Sequence, residues 1–406
     1  MRSSFASEKM TGCQTIHIKD LIPEAGFVQR NYCDECDMLL DLTFSRYDEE
    51  ISGVHIQIDG LPILQCPACS KHHLPDLSRL ALIDCHRRAV EAGSPVFACV
   101  RKKRTQEFQF TKVPFLYDPD DYFYIPGLHR PFDVGFLTPV FFDREVLLKY
   151  DNSPRYRVQF ASTTYGTIYT GEEYISFGIN KNGLLVMWLG DIAKMPEAEQ
   201  YYLRSENVPS DHSIGSEFYE GQIECVFTEA SREDRLFKAR SAFIEANVKR
   251  FAKKIAHLDQ EVMNLALAFN GPVVDTEKER RHVADTLNKI YIESFDNAAL
   301  GEVLKSLGGD PRSLGSLKRL QGVLERALPG EDINSLLSPL YVLYDLRVAC
   351  SHLASAEKQR DKFQSVVDRL GIDASVSLTD LYDRLIEELI AAFERLAQLV
   401  EVTEAD

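Results

Sequence analysis

The chain has 406 residues, 45% of them hydrophobic and 27% charged, with a formal net charge of −16. That length exceeds one ordinary core and suits two or three domains, and the composition is that of a globular protein. The negative charge argues against a protein that coats nucleic acid nonspecifically, because every phosphate contact needs a local cation; it leaves room for a small basic cleft on an acidic body.

Residues 1–30 read as a short lead-in. No apolar run there is bounded by a cleavage site, so no signal peptide is expected. The longest apolar runs, such as 184–189, are far too short to span a bilayer, so no membrane partner is expected. Nine cysteines are present, and four of them form two Cys-x-x-Cys pairs, Cys33 with Cys36 and Cys66 with Cys69. In a reducing compartment that pattern favours metal over disulfides, and a cytoplasmic location is expected.

Each pair reads as a tight turn presenting two thiolates toward one point. Between the pairs lie 29 residues with strand-like segments at 38–44 and 54–58 and a turn signal at Asp59-Gly60. Two knuckles joined by short strands make a zinc ribbon, with the four cysteines closing a structural zinc site. Two unrelated cysteine pairs, or a redox dithiol, are the alternatives. His72 and His73 follow closely and can replace a ligand, although surface histidines are the simpler reading.

Residues 76–92 have helical periodicity, and Cys85 within them reads as a small buried side chain. Arg101-Lys102-Lys103-Arg104 is a dense basic run that reads as a solvated loop between domains, with phosphate contact as the sharper option. The first domain, zinc-ribbon-like, is placed at 1–105.

Aromatic and β-branched residues dominate 106–230. Strands are expected at 156–160, 174–179 and 184–189, with Asn180-Lys181-Asn182-Gly183 as the hairpin turn between the last two. Helices are expected at 143–150 and 196–206. This is read as a central α+β domain with an antiparallel sheet. It has no glycine-rich phosphate loop and no Ser-in-glycines elbow. Asp211, His212 and Glu217 are a possible enzyme site; a capped loop is the plainer reading.

From 231 to 406 the chain reads as helical, which makes the whole a multidomain α+β protein with an all-α C-terminal bundle. Ser231, followed three residues later by Asp234, reads as a helix cap. Ile244, Val248, Phe251, Ile255, Leu258, Val262, Leu265 and Phe269 form a seam that predicts one long spine helix, stopped by Asn270-Gly271-Pro272. Helices follow at 277–295, 300–307, 314–327, from 333, at 358–370 and at 378–400. Pro339 is taken as a first-turn residue.

The helix from 333 carries Arg347 and His352 near its end, separated by four residues. This last part of the chain resembles a HEPN domain, a helical bundle whose hallmark is Arg, four to six residues, His. The resemblance implies a metal-independent endoribonuclease in which the pairs of two protomers meet in one cleft, so a homodimer is expected, with RNA as substrate. Histidine can move protons near neutrality, and arginine grips phosphate through parallel donors. Asp345 and Ser351 flank the pair as supporting residues. Position 348, where members of the family often carry a polar residue, is Val here. Such architectures resemble host-defence or toxin systems, with the N-terminal parts sensing a trigger or docking a protein partner. The alternative from another class is a non-catalytic zinc-ribbon and HEPN-like scaffold that binds a partner protein or nucleic acid.

Overall fold

A computed structural model describes residues 16–23, 29–130, 132–171, 173–226, 230–351, 355–373 and 375–402. Its first long feature is a hairpin of β1 (Asp41–Ile51) and β2 (Val54–Gln65). Ile51 pairs with Val54, leaving Ser52 and Gly53 as a two-residue loop with φ of +46° and +84°. Positive φ at both loop positions is what the right-handed twist of two strands requires of so short a turn. The turn expected at Asp59-Gly60 is not there: β2 runs straight through it. Gly60, with φ +79°, lies where the pairing shifts register, so its freedom serves a bulge rather than a reversal.

β3 (His72–His73) pairs with the end of β2, and α1 (Asp76–Glu91) crosses back so that β4 (Val96–Val100) lies parallel to β2. Ile56, Ile58 and Ile63 of the sheet close over Leu82, Cys85 and Ala89 of α1. Cys85 is therefore buried, as its apolar neighbours in the sequence suggest.

Next come α2 (Pro119–Tyr124) and β5 (Pro139–Phe142), then α3 (Leu147–Asp151) and the hairpin of β6 (Arg157–Phe160) and β7 (Tyr165–Thr170). After these the chain forms β8 (Glu173–Ile179), β9 (Leu185–Trp188), α4 (Leu189–Ile192), α5 (Glu197–Ser205), β10 (Asn207–Val208) and α6 (Glu217–Tyr219). β10, β5, β9 and β8 neighbour one another in that order, all antiparallel. The Asn180–Gly183 turn joins β8 to β9, and Asn180 organises it: its Oδ1 accepts from Asn182 N and Leu184 N, both at 3.0 Å. Trp188 stacks on Phe218 at 4.9 Å and donates its indole N–H to Gln222 at 2.6 Å, satisfying the one polar atom of a fully buried ring.

The chain divides into two compact units, Met1–Asp143 with Gly171–Phe227, and Arg144–Thr170 with Thr228–Asp406. The segments expected at 1–105 and 106–230 thus share most of one unit, and 144–170 falls with the helices. Specific bonds hold each unit together. In the first, Leu42 N bonds His212 O at 3.2 Å, and the basic run at 101–104 pairs with acids of α2 and its cap. In the second, Asn270 Nδ2 donates to Asp151 at 3.3 Å and to the Val158 carbonyl at 3.4 Å.

The second unit continues with α7 (Arg232–Phe251), whose first turn is capped by Ser231 Oγ accepting from Asp234 N at 3.2 Å. The expected spine helix does not run on to Phe269. Ala252 turns left-handed at φ +50°, and α8 (Asp259–Ala268) starts afresh after Leu258 at φ +56°. The reason is a tertiary ladder: Asp296 N bonds Ile255 O at 2.8 Å and His257 N bonds Ser294 O at 3.0 Å. Those partners replace the helical bonds that 252–258 gives up, while Ile255 becomes wholly buried.

α9 (Glu277–Asn288) ends in a π turn, Lys289–Glu293; α10 (Asn297–Ser306), α11 (Ser316–Ala327), α12 (Ile333–Ser351), α13 (Ala356–Leu370) and α14 (Leu378–Val402) complete the bundle. α12 is the central element, with Leu337, Leu340, Val342, Leu343 and Leu346 buried. Pro339 lies well inside α12, not in its first turn, where its missing N–H removes one helical bond. Gly371, at φ +65°, ends α13 in the left-handed cap that glycine adopts most cheaply.

Candidate metal centre and arginine cleft

The two Cys-x-x-Cys segments fold as two copies of one turn. Asp37 N bonds Cys33 O at 3.0 Å, and Ser70 N bonds Cys66 O at 3.0 Å. Cys33 N reaches Met38 O at 2.8 Å, and Cys66 N reaches Lys71 O at 2.9 Å. Asp37 and Ser70 are both left-handed, at φ +53° and +62°. The repeated turn points both sulfurs of each pair toward the other pair.

Sulfur separations across the pairs are 3.6 Å for Cys33–Cys69, 3.2 Å for Cys36–Cys66 and 3.8 Å for Cys36–Cys69. All four ligand atoms lie within 4.8 Å of one another, so the set can hold a metal ion. Cys33 and Cys66 are buried while Cys36 and Cys69 are exposed, which leaves one side of the cluster open to water. Backbone amides select the thiolate form of the buried pair. The Cys69 N–H pulls the Cys66 thiol down to about 6, and the Glu35 N–H lowers Cys33. The Cys66 sulfur in turn pushes Cys36 up to about 12.

The surroundings brace the knuckles. Lys71 pairs with Asp34 at 2.9 Å and Glu35 at 3.0 Å, tying the second turn to the first. His73, only 17% exposed, faces Cys33 and Asp34 as an outer neighbour, and His72 is on the exposed side of β3.

The motif helix places its residues on different faces. Arg347 sits with its guanidinium between Glu293 at 3.2 Å and Asp285 at 3.5 Å, 30% exposed. The π turn after α9 is what carries Glu293 to this position, and Asn288 Nδ2 donates to the same carboxylate at 2.8 Å. Asp345 is not beside Arg347; it binds Lys362 at 2.8 Å and Arg369 at 3.3 Å on α13. Ser351 Oγ is buried with no hydrogen-bond partner among the described residues. His352 lies outside the described residues.

Against the last turn of α12 opens a cleft of about 430 Å³, lined by Arg280 and Arg281 of α9, Cys350 of α12, Arg360 and Phe363 of α13, and Glu277. Asp275 grips Arg280 through two bonds, at 2.6 and 2.8 Å, and the same guanidinium lies over Phe363, 5.6 Å from the ring centre. Arg281 Nε donates to the Cys350 carbonyl at 3.3 Å. Burial pushes the Cys350 thiol up to about 11, so it enters the cleft as a neutral group at pH 7.

Two features of the first unit escape a linear reading. Asp121, wholly buried, accepts from Ser210 Oγ at 2.6 Å and pairs with His212 Nδ1 at 2.7 Å. Burial opposes the charge on His212, but the Asp121 hydrogen bond and charge win and raise its pKa; burial also raises that of Asp121. Asp211 is engaged elsewhere, accepting from Asn180 and Asn182, so the acid on His212 is Asp121 rather than its chain neighbour. The basic run is solvated only in part: Lys102 and Lys103 are exposed, while the two arginines are not. Arg101 is 15% exposed and paired with the fully buried Asp120, and Arg104 stacks on Phe123 at 4.2 Å. These partners are distant in sequence, where spacing gives no signal.

No helix among the described residues is long and apolar enough to cross a membrane. Comparison with family models, with curated proteins and with solved structures found no match.

Proposed function

We propose that this chain is a metal-independent endoribonuclease of the HEPN type, working in the cytoplasm as a homodimer in a host-defence or toxin-like setting, with the first unit sensing a trigger or docking a protein partner. What supports this reading is the clustering of cations at one end of α12: Arg347 on the helix itself and three more arginines in the cleft against its last turn, on a chain of net charge −16. Local positive charge in a cleft is what a phosphodiester requires. In the reaction, the ribose 2′-hydroxyl loses its proton to a base and its oxygen bonds to phosphorus. The bond to the leaving 5′-oxygen breaks, and that oxygen takes up a proton, giving a cyclic phosphate and a free hydroxyl end. His352 is assigned the proton transfers and Arg347 the phosphoryl charge.

The metal in the cysteine cluster is proposed to be structural zinc. Four thiolates at a zinc–sulfur distance of about 2.3 Å stand about 3.8 Å apart in a tetrahedron. The upper end of the observed separations, 3.6 and 3.8 Å, fits that spacing.

The test compares wild type with Arg347→Ala and His352→Ala, scoring growth on expression and RNA integrity with purified protein. Cleavage by wild type that drops about a hundredfold to ten-thousandfold in either variant, in the presence of chelator over a short assay, is the expected result. Full cleavage by both variants overturns the assignment. A second reading, a non-catalytic scaffold, is favoured by the two carboxylates that already occupy Arg347 and by Val348. It wins if wild type cuts no RNA while Val348→Asn does.

A further inference from the structure

We propose that the cleft beside the last turn of α12 is a subsite for one unstacked nucleotide of single-stranded RNA, with Arg281 and Arg360 on its phosphate and the Arg280–Phe363 pair as the wall for its base. The inference rests on the ribonuclease reading and adds to it the form of the substrate and the residues that hold it.

Three observations converge. The lining carries three guanidiniums and one carboxylate, Glu277, and Asp275 pairs with Arg280 beside them, which still leaves more cations than carboxylates among these groups in a chain whose charge is otherwise strongly negative. An anion approaching the protein is repelled until it is within roughly a Debye length, about 8 Å at physiological salt, of such a local excess of cations. Second, Arg280 is held rigid. Asp275 holds its guanidinium through two bonds and the Phe363 ring lies near it, 5.6 Å away, so a preordered cation and an aromatic ring stand together in the cleft. Guanidinium planes and aromatic rings are the surfaces on which unpaired bases stack, and stacking is indifferent to which base it meets. Third, Arg281 is anchored to the Cys350 carbonyl, which sets its guanidinium at the end of the helix that carries Arg347.

The volume, about 430 Å³, admits a nucleotide but not a duplex. Bases inside an A-form helix are stacked on both faces and cannot be laid against Arg280 without being extruded. Cys350, a partly buried thiol that is neutral at pH 7, contributes an apolar floor rather than a reactive group. The subsite is thus expected to favour strands, loops and bulges over paired RNA.

The experiment measures binding of a short, labelled, mixed-sequence RNA oligonucleotide by fluorescence anisotropy, using full-length protein carrying His352→Ala so that the probe stays intact. In that background, Phe363→Ala is expected to weaken binding about five- to hundredfold, the range for removing one aromatic stacking partner of a base. Arg281→Ala and Arg360→Ala are expected to weaken it and to lower the slope of log affinity against log salt by about 0.7 for each phosphate that is no longer neutralised. The same strand annealed to its complement should compete poorly. Arg360→Lys, which keeps the charge, should retain most of the binding, and thermal melts of all variants exclude unfolding as the cause.

Unchanged affinity in Arg281→Ala, Arg360→Ala and Phe363→Ala overturns the subsite, as does equal binding of duplex. Those results leave the catalytic assignment standing if Arg347→Ala still abolishes cleavage. Conversely, oligonucleotide binding that depends on the cleft, with no cleavage by wild type, keeps the subsite and removes the ribonuclease.

Discussion

The cysteine cluster and the Arg347 site solve opposite charge problems. Four thiol groups brought within 4.8 Å accumulate negative charge as they ionise, and the lysine beside them, Lys71, is already shared by Asp34 and Glu35. Cys33 and Cys66 are held toward the thiolate and Cys36 toward the thiol, so all four ionise together only around a cation, which the set can hold. Arg347 carries its own compensation, Glu293 and Asp285, drawn from α9 and its π turn. The first site therefore has room for a counter-charge from outside, while Arg347 has its counter-charges within the chain. Stability should lean on the ligand in one unit and be indifferent to it in the other.

The largest effect that can break this contrast is metal removal. Cys33→Ser or Cys66→Ser should reduce bound metal from about one per chain to nearly none. Either change should lower the melting transition of the first unit by roughly ten degrees or more, because ion binding and folding are coupled at such sites. Elemental analysis with calorimetry checks it. A melting transition of the second unit that moves as far as that of the first would end the contrast.

A smaller effect sharpens the other side. Arg347→Ala should shift the stability of the second unit by only about 1 kcal/mol, the scale of a partly exposed ion pair. Glu293→Gln should cost no more than that, while strengthening RNA binding severalfold by removing half of the compensation on Arg347. Chemical denaturation and anisotropy read the two quantities separately. A large loss of stability in either variant would mean that the arginine is a structural keystone.

The smallest effect concerns pH in the first unit. The folded pKa of His212 is raised by Asp121, so its contribution is fully present below the unfolded value of about 6.5. It is lost as pH rises through the folded value. Melting temperature should fall over that window by a degree or a few degrees, and His212→Gln should flatten the dependence. A profile that rises over the same window has the wrong sign for this pair.

What was legible in the chain was what is local. The knuckles need only a few consecutive residues, and the Ser231 cap and the Asn180 turn close within four. The antiparallel pairing of β8 with β9 also follows from the short loop between them, whereas β5, far from β9 in the chain, was not expected. What was illegible depends on partners far away. His212 finds Asp121 across 91 positions, and the solvated look of Arg101 disappears only when buried Asp120 is beside it. The heptad seam was misleading for the same reason. Its apolar spacing is real, but Ile255 is satisfied by Asp296 rather than by its own helix, and Leu258 is 56% exposed. Periodicity reports which side chains seek burial; it does not report which backbone groups have found a better partner.

The interleaving of the two units has a consequence for how the protein is made. Synthesis runs from the N-terminus, so Arg144–Thr170 leaves the ribosome well before any of the helices with which it belongs. Its β6–β7 hairpin can form at once, but its packing with the helices waits until the chain from Thr228 onward is translated. A fragment cut at the start of the helices would lack this early segment, so the helical part is not a module that can be excised or transplanted by a single cut.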